Sequence, residues 1–249
     1  MNFLISGTSR VDITPPIGIT HANWGAQTHQ VSTHNDMALY VTAAYFQSDK
    51  TKMTIIDVDI LVITNEKDQE IRSLISDETG VPFDNIRLSY SHTHSGPVAY
   101  ASDWHTEGND LVKKWLASIG PACLKAVRLA IENAQPSVTK FSRGSCEINA
   151  NRRPTGPDGR LFTGRNVNGF VIRDVDVIGV DDLNGSPVAT IVNYACHPTI
   201  MGHENTVVTP DFPGPMRKLV ESTVGGTCLF LQGAAGNIGP FDGFTGDLG

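Results

Sequence analysis

Leu39–Ile63 reads LYVTAAYFQSDKTKMTIIDVDILVI, and Thr64–Ser91 continues TNEKDQEIRSLISDETGVPFDNIRLSYS. Two β-rich runs, Leu39–Gln47 and Met53–Ile63, flank Ser48-Asp49-Lys50-Thr51, which predicts a hairpin. From Asn65 to Thr79 the first turn is acidic, Ile71, Leu74 and Ile75 share one apolar face, and Gly80 follows, so this stretch predicts a helix. Ile86–Ser91 is then a short strand running into His92. A hairpin followed by strand–helix–strand calls for a mixed sheet with helices packed on it, a layered α/β domain.

The flanks agree with that frame. Phe3–Ser6 reads as a short strand, followed by an extended loop through Val11-Asp12-Ile13-Thr14-Pro15-Pro16. From Asn109 to Ala134, Leu111, Trp115, Ile119, Cys123, Val127 and Ile131 recur every four positions, a long helix with a kink expected at Gly120-Pro121. Val138–Ile148 and Val171–Val180 read as strands. The second pairs with Val188–Ala195 across Leu183-Asn184-Gly185-Ser186, where Asn-Gly favours a type I′ turn. Pro213–Val224 is a short helix with proline at its start, and Cys228–Leu231 a buried strand that breaks into a glycine loop.

The chain has 249 residues, 40% of them hydrophobic, which excludes disorder as the main state. A net charge of −7 and the lack of a basic stripe speak against nucleic acid as a partner. No apolar run is long enough for a membrane helix. Met1–Pro16 shows no cationic start and no long apolar run, which reads as a cytoplasmic protein without a signal peptide. Cys123, Cys146, Cys196 and Cys228 form no CxxC pair and read as reduced core thiols. Phe241–Gly249 is a glycine-rich loop with no closing element, as expected of a fragment truncated at its C-terminal end.

Five segments could carry chemistry. In Ser91-His92-Thr93-His94-Ser95-Gly96-Pro97, residues two apart on a strand face one side, so His92 and His94 converge. They read either as metal or acid/base residues or as polar loop histidines. In Asn193-Tyr194-Ala195-Cys196-His197-Pro198-Thr199, His197 ends a buried strand, as a second ligand or a capped core histidine. Asp211, in Thr209-Pro210-Asp211-Phe212-Pro213-Gly214, is either an N-cap or a third ligand. Gln232-Gly233-Ala234-Ala235-Gly236-Asn237-Ile238-Gly239-Pro240 lets backbone approach a ligand but is no dinucleotide fingerprint. Asn151-Arg152-Arg153-Pro154 offers guanidinium groups to oxygen atoms, unless it is a solvated loop.

With Arg10-Val11-Asp12-Ile13-Thr14-Pro15-Pro16, these segments occur in one order along nearly the whole chain. The ordered set resembles the N-terminal catalytic domain of neutral (non-lysosomal) ceramidases and their bacterial relatives. The resemblance implies that 1–249 is one catalytic domain, incomplete at its C-terminal end. It implies a zinc-dependent amidase acting on a small-molecule or lipid-like amide, with His92 and His197 as Zn²⁺ ligands. It places His94 by the reacting carbonyl, to orient or protonate, and Arg152 along the site. The other ligands implied, a glutamate and a tyrosine, would lie beyond Gly249. One departure stands out: ceramidases carry a serine nucleophile in Gly-Asp-Val-Ser-Pro, and the matching stretch here is Gly236-Asn237-Ile238-Gly239-Pro240. Gly239 offers no nucleophile, and neither Ser95 nor Cys196 matches a nucleophile motif. The expectation is hydrolysis by metal-activated water, with true N-acylsphingosine amidase activity and a non-catalytic binding protein as alternatives.

Overall fold

The computed structural model describes residues 4–21, 23–99 and 105–243. In chain order these form β1 (Leu4–Asp12), β2 (His34–Asn35), β3 (Tyr40–Ser48), β4 (Thr51–Val58), α1 (Asn65–Thr79), a 3₁₀ turn at Phe83–Asn85 and β5 (Ile86–Tyr90). Then follow α2 (Asn109–Glu132), β6 (Gln135–Ser145), β7 (Asn149–Asn151), β8 (Asp174–Asp182), β9 (Pro187–Tyr194), β10 (Val207–Val208), α3 (Pro213–Val224), β11 (Thr227–Gln232) and β12 (Ile238–Pro240). Eight strands make one mixed sheet in the order β11-β9-β8-β6-β1-β3-β4-β5. The mixed α/β class is as the sequence predicts.

Its parallel pairs are β4–β5 and β9–β11, one at each edge. A parallel pair needs a crossover, which α1 supplies for the first and α3 for the second. Ligands of such units collect beyond the carboxyl ends of the strands. His92 follows β5, His197 follows β9 and the glycine loop follows β11, so three of the five segments leave the sheet at that kind of end.

Strand alternation divides β3 between two layers. Val41, Ala43 and Tyr45 join the large core under α1 and α2, whereas Ala44 and Phe46 join a smaller core with Val180, Ala189, Ile191 and Leu229. The second core exists because the sheet curls over: β11 touches β3, β4 and β5, and the Thr8 hydroxyl donates to Thr227 Oγ1 at 3.1 Å. Ile71 and Ile75 of α1 and Ile119 of α2 are buried, each contributing about 1.5–3 kcal/mol. Arg217 of α3 closes the curl, donating to Asp57 at 2.7 Å and to Asp59 at 2.6 Å.

Three local expectations change. The first strand continues through Gly7–Asp12 rather than stopping at Ser6, because β3 pairs with it from Ile5 to Asp12 and the missing Gly7 side chain lets it lie against Ala130 of α2 and Ala134 just beyond it. Phe3 lies outside the described residues. The β8–β9 turn is not type I′: Gly185 has φ 85°, but Asn184 is not at positive φ. The Asp182 carboxylate instead accepts from the Asn184 and Ser186 N–H groups, both at 2.8 Å, and folds a longer loop. The glycine loop ends in β12, which pairs with β7. Helix α2 continues through Gly120-Pro121 with the proline inside it, the long helix that the sequence predicts. Of the expected terminal loop, Phe244–Gly249 lie outside the described residues.

Candidate metal centre

His92, His94 and His197 come together, with one ring nitrogen of each lying within 4.8 Å of the others. The expected convergence is present, but not by strand alternation. β5 ends at Tyr90, and His92 adopts φ 66°, the sparsely populated left-handed region. The His92 N–H donates to Ile60 O and the His94 N–H to Pro198 O, so the loop is folded between β4 and the segment after β9. Thr93 Oγ1 donates to Thr209 O at 2.9 Å and pins it from below.

Each ring has one nitrogen on a backbone carbonyl. His92 Nδ1 lies 2.8 Å from Leu61 O, His94 Nδ1 2.9 Å from Asn23 O, and His197 Nδ1 2.8 Å from Ala235 O. A carbonyl only accepts, so all three Nδ1 atoms carry the proton and all three Nε2 atoms carry lone pairs. His92 Nε2 and His197 Nε2 stand 3.1 Å apart with their lone pairs facing, and His94 Nε2 is buried without a hydrogen-bond partner among the described residues. Two imidazole lone pairs this close are a donor set for a cation, and imidazole nitrogen suits zinc.

Electrostatics favours the neutral rings. Burial, first, and neighbouring positive groups push His94 down to about 4 and His197 to about 3, and burial lowers His92. At neutral pH no proton competes for the lone pairs. Trp24 lies against His94 with ring centroids 4.9 Å apart.

Arg152 sits beside the rings, directly after β7, which pairs with β12. Its Nη2 donates to His197 Nε2 at 3.3 Å, and its Nε and Nη2 to Gly236 O. Arg153 Nη2 donates to the same carbonyl at 3.3 Å. A side chain on Gly239 would meet Arg152 Cδ at 3.2 Å, so the bare glycine leaves the guanidinium stem its place. One lone pair of His197 serves either the Arg152 N–H or a cation, so the two are mutually exclusive there.

The remaining candidates fall elsewhere. Asp211 is not part of the histidine group; its carboxylate accepts from Phe212 N at 2.7 Å and Met201 N at 3.1 Å, and burial raises its pKa. That is close to the N-cap reading, one residue early, since Phe212 occupies the cap of α3. Cys196 is buried and its thiol is pushed up to about 12 by burial. Ser95 Oγ is buried with no hydrogen-bond partner among the described residues. All four cysteines are free. Asn23 and Trp24, which hold His94, carried no motif. The signal that could have found them is a histidine and tryptophan cluster, His21, Trp24 and His29, in a stretch without periodicity.

Comparison with known proteins matches residues 3–239 to the family described as neutral/alkaline non-lysosomal ceramidase, N-terminal. The chain is 28% identical over 244 residues to neutral ceramidase A of Dictyostelium discoideum, covering 94% of this chain and 33% of that protein. It is 26% identical over 204 residues to neutral ceramidase B of the same organism, covering 79% of this chain and 28% of that one. The chain thus spans about a third of the length of these relatives. Its fold matches the crystal structure of neutral ceramidase from Pseudomonas aeruginosa with a TM-score of 0.81 at 19% identity, over 100% of this chain and 41% of that one. A ceramidase structure described as complexed with C2 matches with a TM-score of 0.79 at 20% identity, over 96% of this chain and 39% of that one.

Proposed function

Because the chain belongs to the neutral/alkaline non-lysosomal ceramidase family, we propose that it is the N-terminal catalytic portion of a zinc-dependent hydrolase cleaving an amide or related carbonyl bond. The observation that carries this reading is the convergence of three imidazole lone pairs whose Nδ1–H groups are all fixed on backbone carbonyls. His92 and His197 are the proposed zinc ligands. When bound, zinc supplies Lewis acidity toward a carbonyl and brings the pKa of water to about 7.

The protein's own groups do the rest. His94 Nε2, buried and unpartnered, accepts the proton of the attacking water and returns it to the leaving nitrogen. Arg152 donates N–H bonds to the substrate oxygen, which requires it to release His197 Nε2. Gly239 stands where ceramidases carry their serine and offers no atom to acylate, so this route has no covalent intermediate.

The relatives named neutral ceramidases make ceramide the first amide to try, followed by simpler linear amides. The test is turnover by the full-length protein, with metal removed and restored, and mass spectrometry of enzyme trapped during turnover. Activity abolished by chelation, restored by zinc and free of any acyl adduct is the expected result. An acyl adduct on a residue of this chain overturns the water route. Zinc-loaded protein inert on every amide supports a ligand-binding role instead.

A further inference from the structure

His94 leaves its Nε2 open only because something accepts its Nδ1 proton. The acceptor is Asn23 O at 2.9 Å, and the next residue, Trp24, lays its ring on the imidazole. Both sit on an excursion between β1 and β2 that belongs to neither strand, with Gly25 and Ala26 exposed. A segment of that kind holds a carbonyl in place only if it is closed by its own contacts.

Backbone pairing closes its neck, with His21 N donating to Gln30 O at 2.9 Å, and two side-chain devices add to it. The Gln27 side chain folds back inside the excursion. Its Oε1 accepts from Trp24 N at 3.0 Å, and its Nε2 donates to His21 O at 3.2 Å and His29 O at 3.1 Å. At the neck, His21 is fully buried, and its Nε2 lies 3.1 Å from Val207 O. A carbonyl only accepts, so that nitrogen carries the proton and His21 Nδ1 carries the lone pair. His29 Nε2–H therefore donates to it, at 3.1 Å. The neck is a neutral His–His hydrogen bond, and Gln27 is the brace above it.

We infer that Gln27 is a positioning residue for His94: by fixing the Asn23 carbonyl and the Trp24 ring it sets the Nδ1–H tautomer and leaves the Nε2 lone pair aimed at the site. Remove the brace, and Trp24 N, His21 O and His29 O lose their bonds to Gln27 at once. The Asn23 carbonyl then no longer holds one place, and the imidazole proton is free to move to Nε2, which removes the base. The kinetic consequence rests on the role proposed above for His94; the tautomer consequence does not.

The test uses the full-length protein with and without added zinc, ¹⁵N-labelled in histidine, and long-range ¹H–¹⁵N correlation spectra of the imidazoles. The wild type should give His94 a protonated Nδ1 and a bare Nε2. Gln27→Ala should shift His94 toward a mixture of tautomers and lower kcat about 10-fold or more, the usual cost of losing an outer partner of a site histidine. KM should stay within about twofold, since no substrate contact is removed. Gln27→Glu, which keeps the acceptor and loses both donors, should fall between, and carries the test if the alanine variant does not fold. Thr28→Ala, an exposed neighbour, should behave as wild type. An unchanged His94 spectrum in both Gln27 variants overturns the inference, as does an equal change in Thr28→Ala. A shifted spectrum in a protein that cleaves no amide upholds the positioning role and sinks the hydrolase reading.

Discussion

His92 and His94 are two apart in sequence, and that spacing was legible, but the way they converge was not. Alternation along a strand would place both rings on one face; instead His92 takes φ 66° and the loop is held by Ile60 O, Pro198 O and Thr209 O. The roles proposed for the rings separate by substitution. His92→Ala and His197→Ala should each lose zinc, measured by elemental analysis after dialysis. His94→Ala should keep zinc and lose roughly 10²–10⁴-fold in turnover if its Nε2 moves the proton; loss of zinc in that variant would make it a ligand. At Cys196 the chemistry is negative. A buried thiol pushed up to about 12 holds almost no thiolate at pH 8, so iodoacetamide should leave Cys196 unlabelled in the native protein. Native-state alkylation there, seen by peptide mass spectrometry, would contradict its burial.

Elements whose signals are local came through the sequence well. Helix α1 starts at Asn65 and ends at Thr79 as the acidic first turn and Gly80 require, with the Thr64 side chain accepting from Lys67 N, and α3 begins at its proline. The first strand looks short in sequence because Gly7, Thr8, Ser9 and Arg10 carry no apolar pattern. Those residues are small or polar because each meets a specific partner: Ser9 Oγ donates to Ala126 O at 2.6 Å, and Arg10 pairs with Glu221. The element that most depends on a charged contact is α3. Arg217 is 3% exposed, and its two carboxylate partners, Asp57 and Asp59, are fully buried. Asp57 also accepts from Phe230 N of β11 at 2.9 Å, so one cluster ties helix, hairpin and edge strand. Arg217→Ala leaves two buried carboxylates without their cation and should cost about 3–5 kcal/mol of stability. Urea denaturation reads this directly, and a loss below about 1 kcal/mol would mean that the cluster is not intact in solution.

Across the whole molecule, buried neutral histidine sets a weakness toward acid. Burial and the neighbouring His29 hold His21 down to about 4, against an ordinary 6.5. As pH falls through 6.5 the unfolded chain takes up the proton and the folded one does not until about 4, so stability present above 6.5 drains away over that interval. The urea midpoint should therefore be lower at pH 5 than at pH 7, and His21→Gln should shrink that difference whatever it does to stability at pH 7. An unchanged difference would show that His21 is not the group responsible. The sequence by itself determined the α/β class, the hairpin, the three helices and the segments that bear the histidines and Arg152, because each rests on a pattern within some fifteen to twenty-five residues: a period, a cap, a turn or a motif. Only the tertiary structure decided that the sheet curls so that β11 reaches β3 and β4, and that Asp211 holds backbone instead of joining the rings. It alone decided that Asn23 O, Leu61 O and Ala235 O each take one imidazole proton. The reason is distance along the chain. A histidine's tautomer is set by whichever carbonyl faces its other nitrogen, and for His94 that carbonyl lies 71 residues away, where no local pattern can specify it.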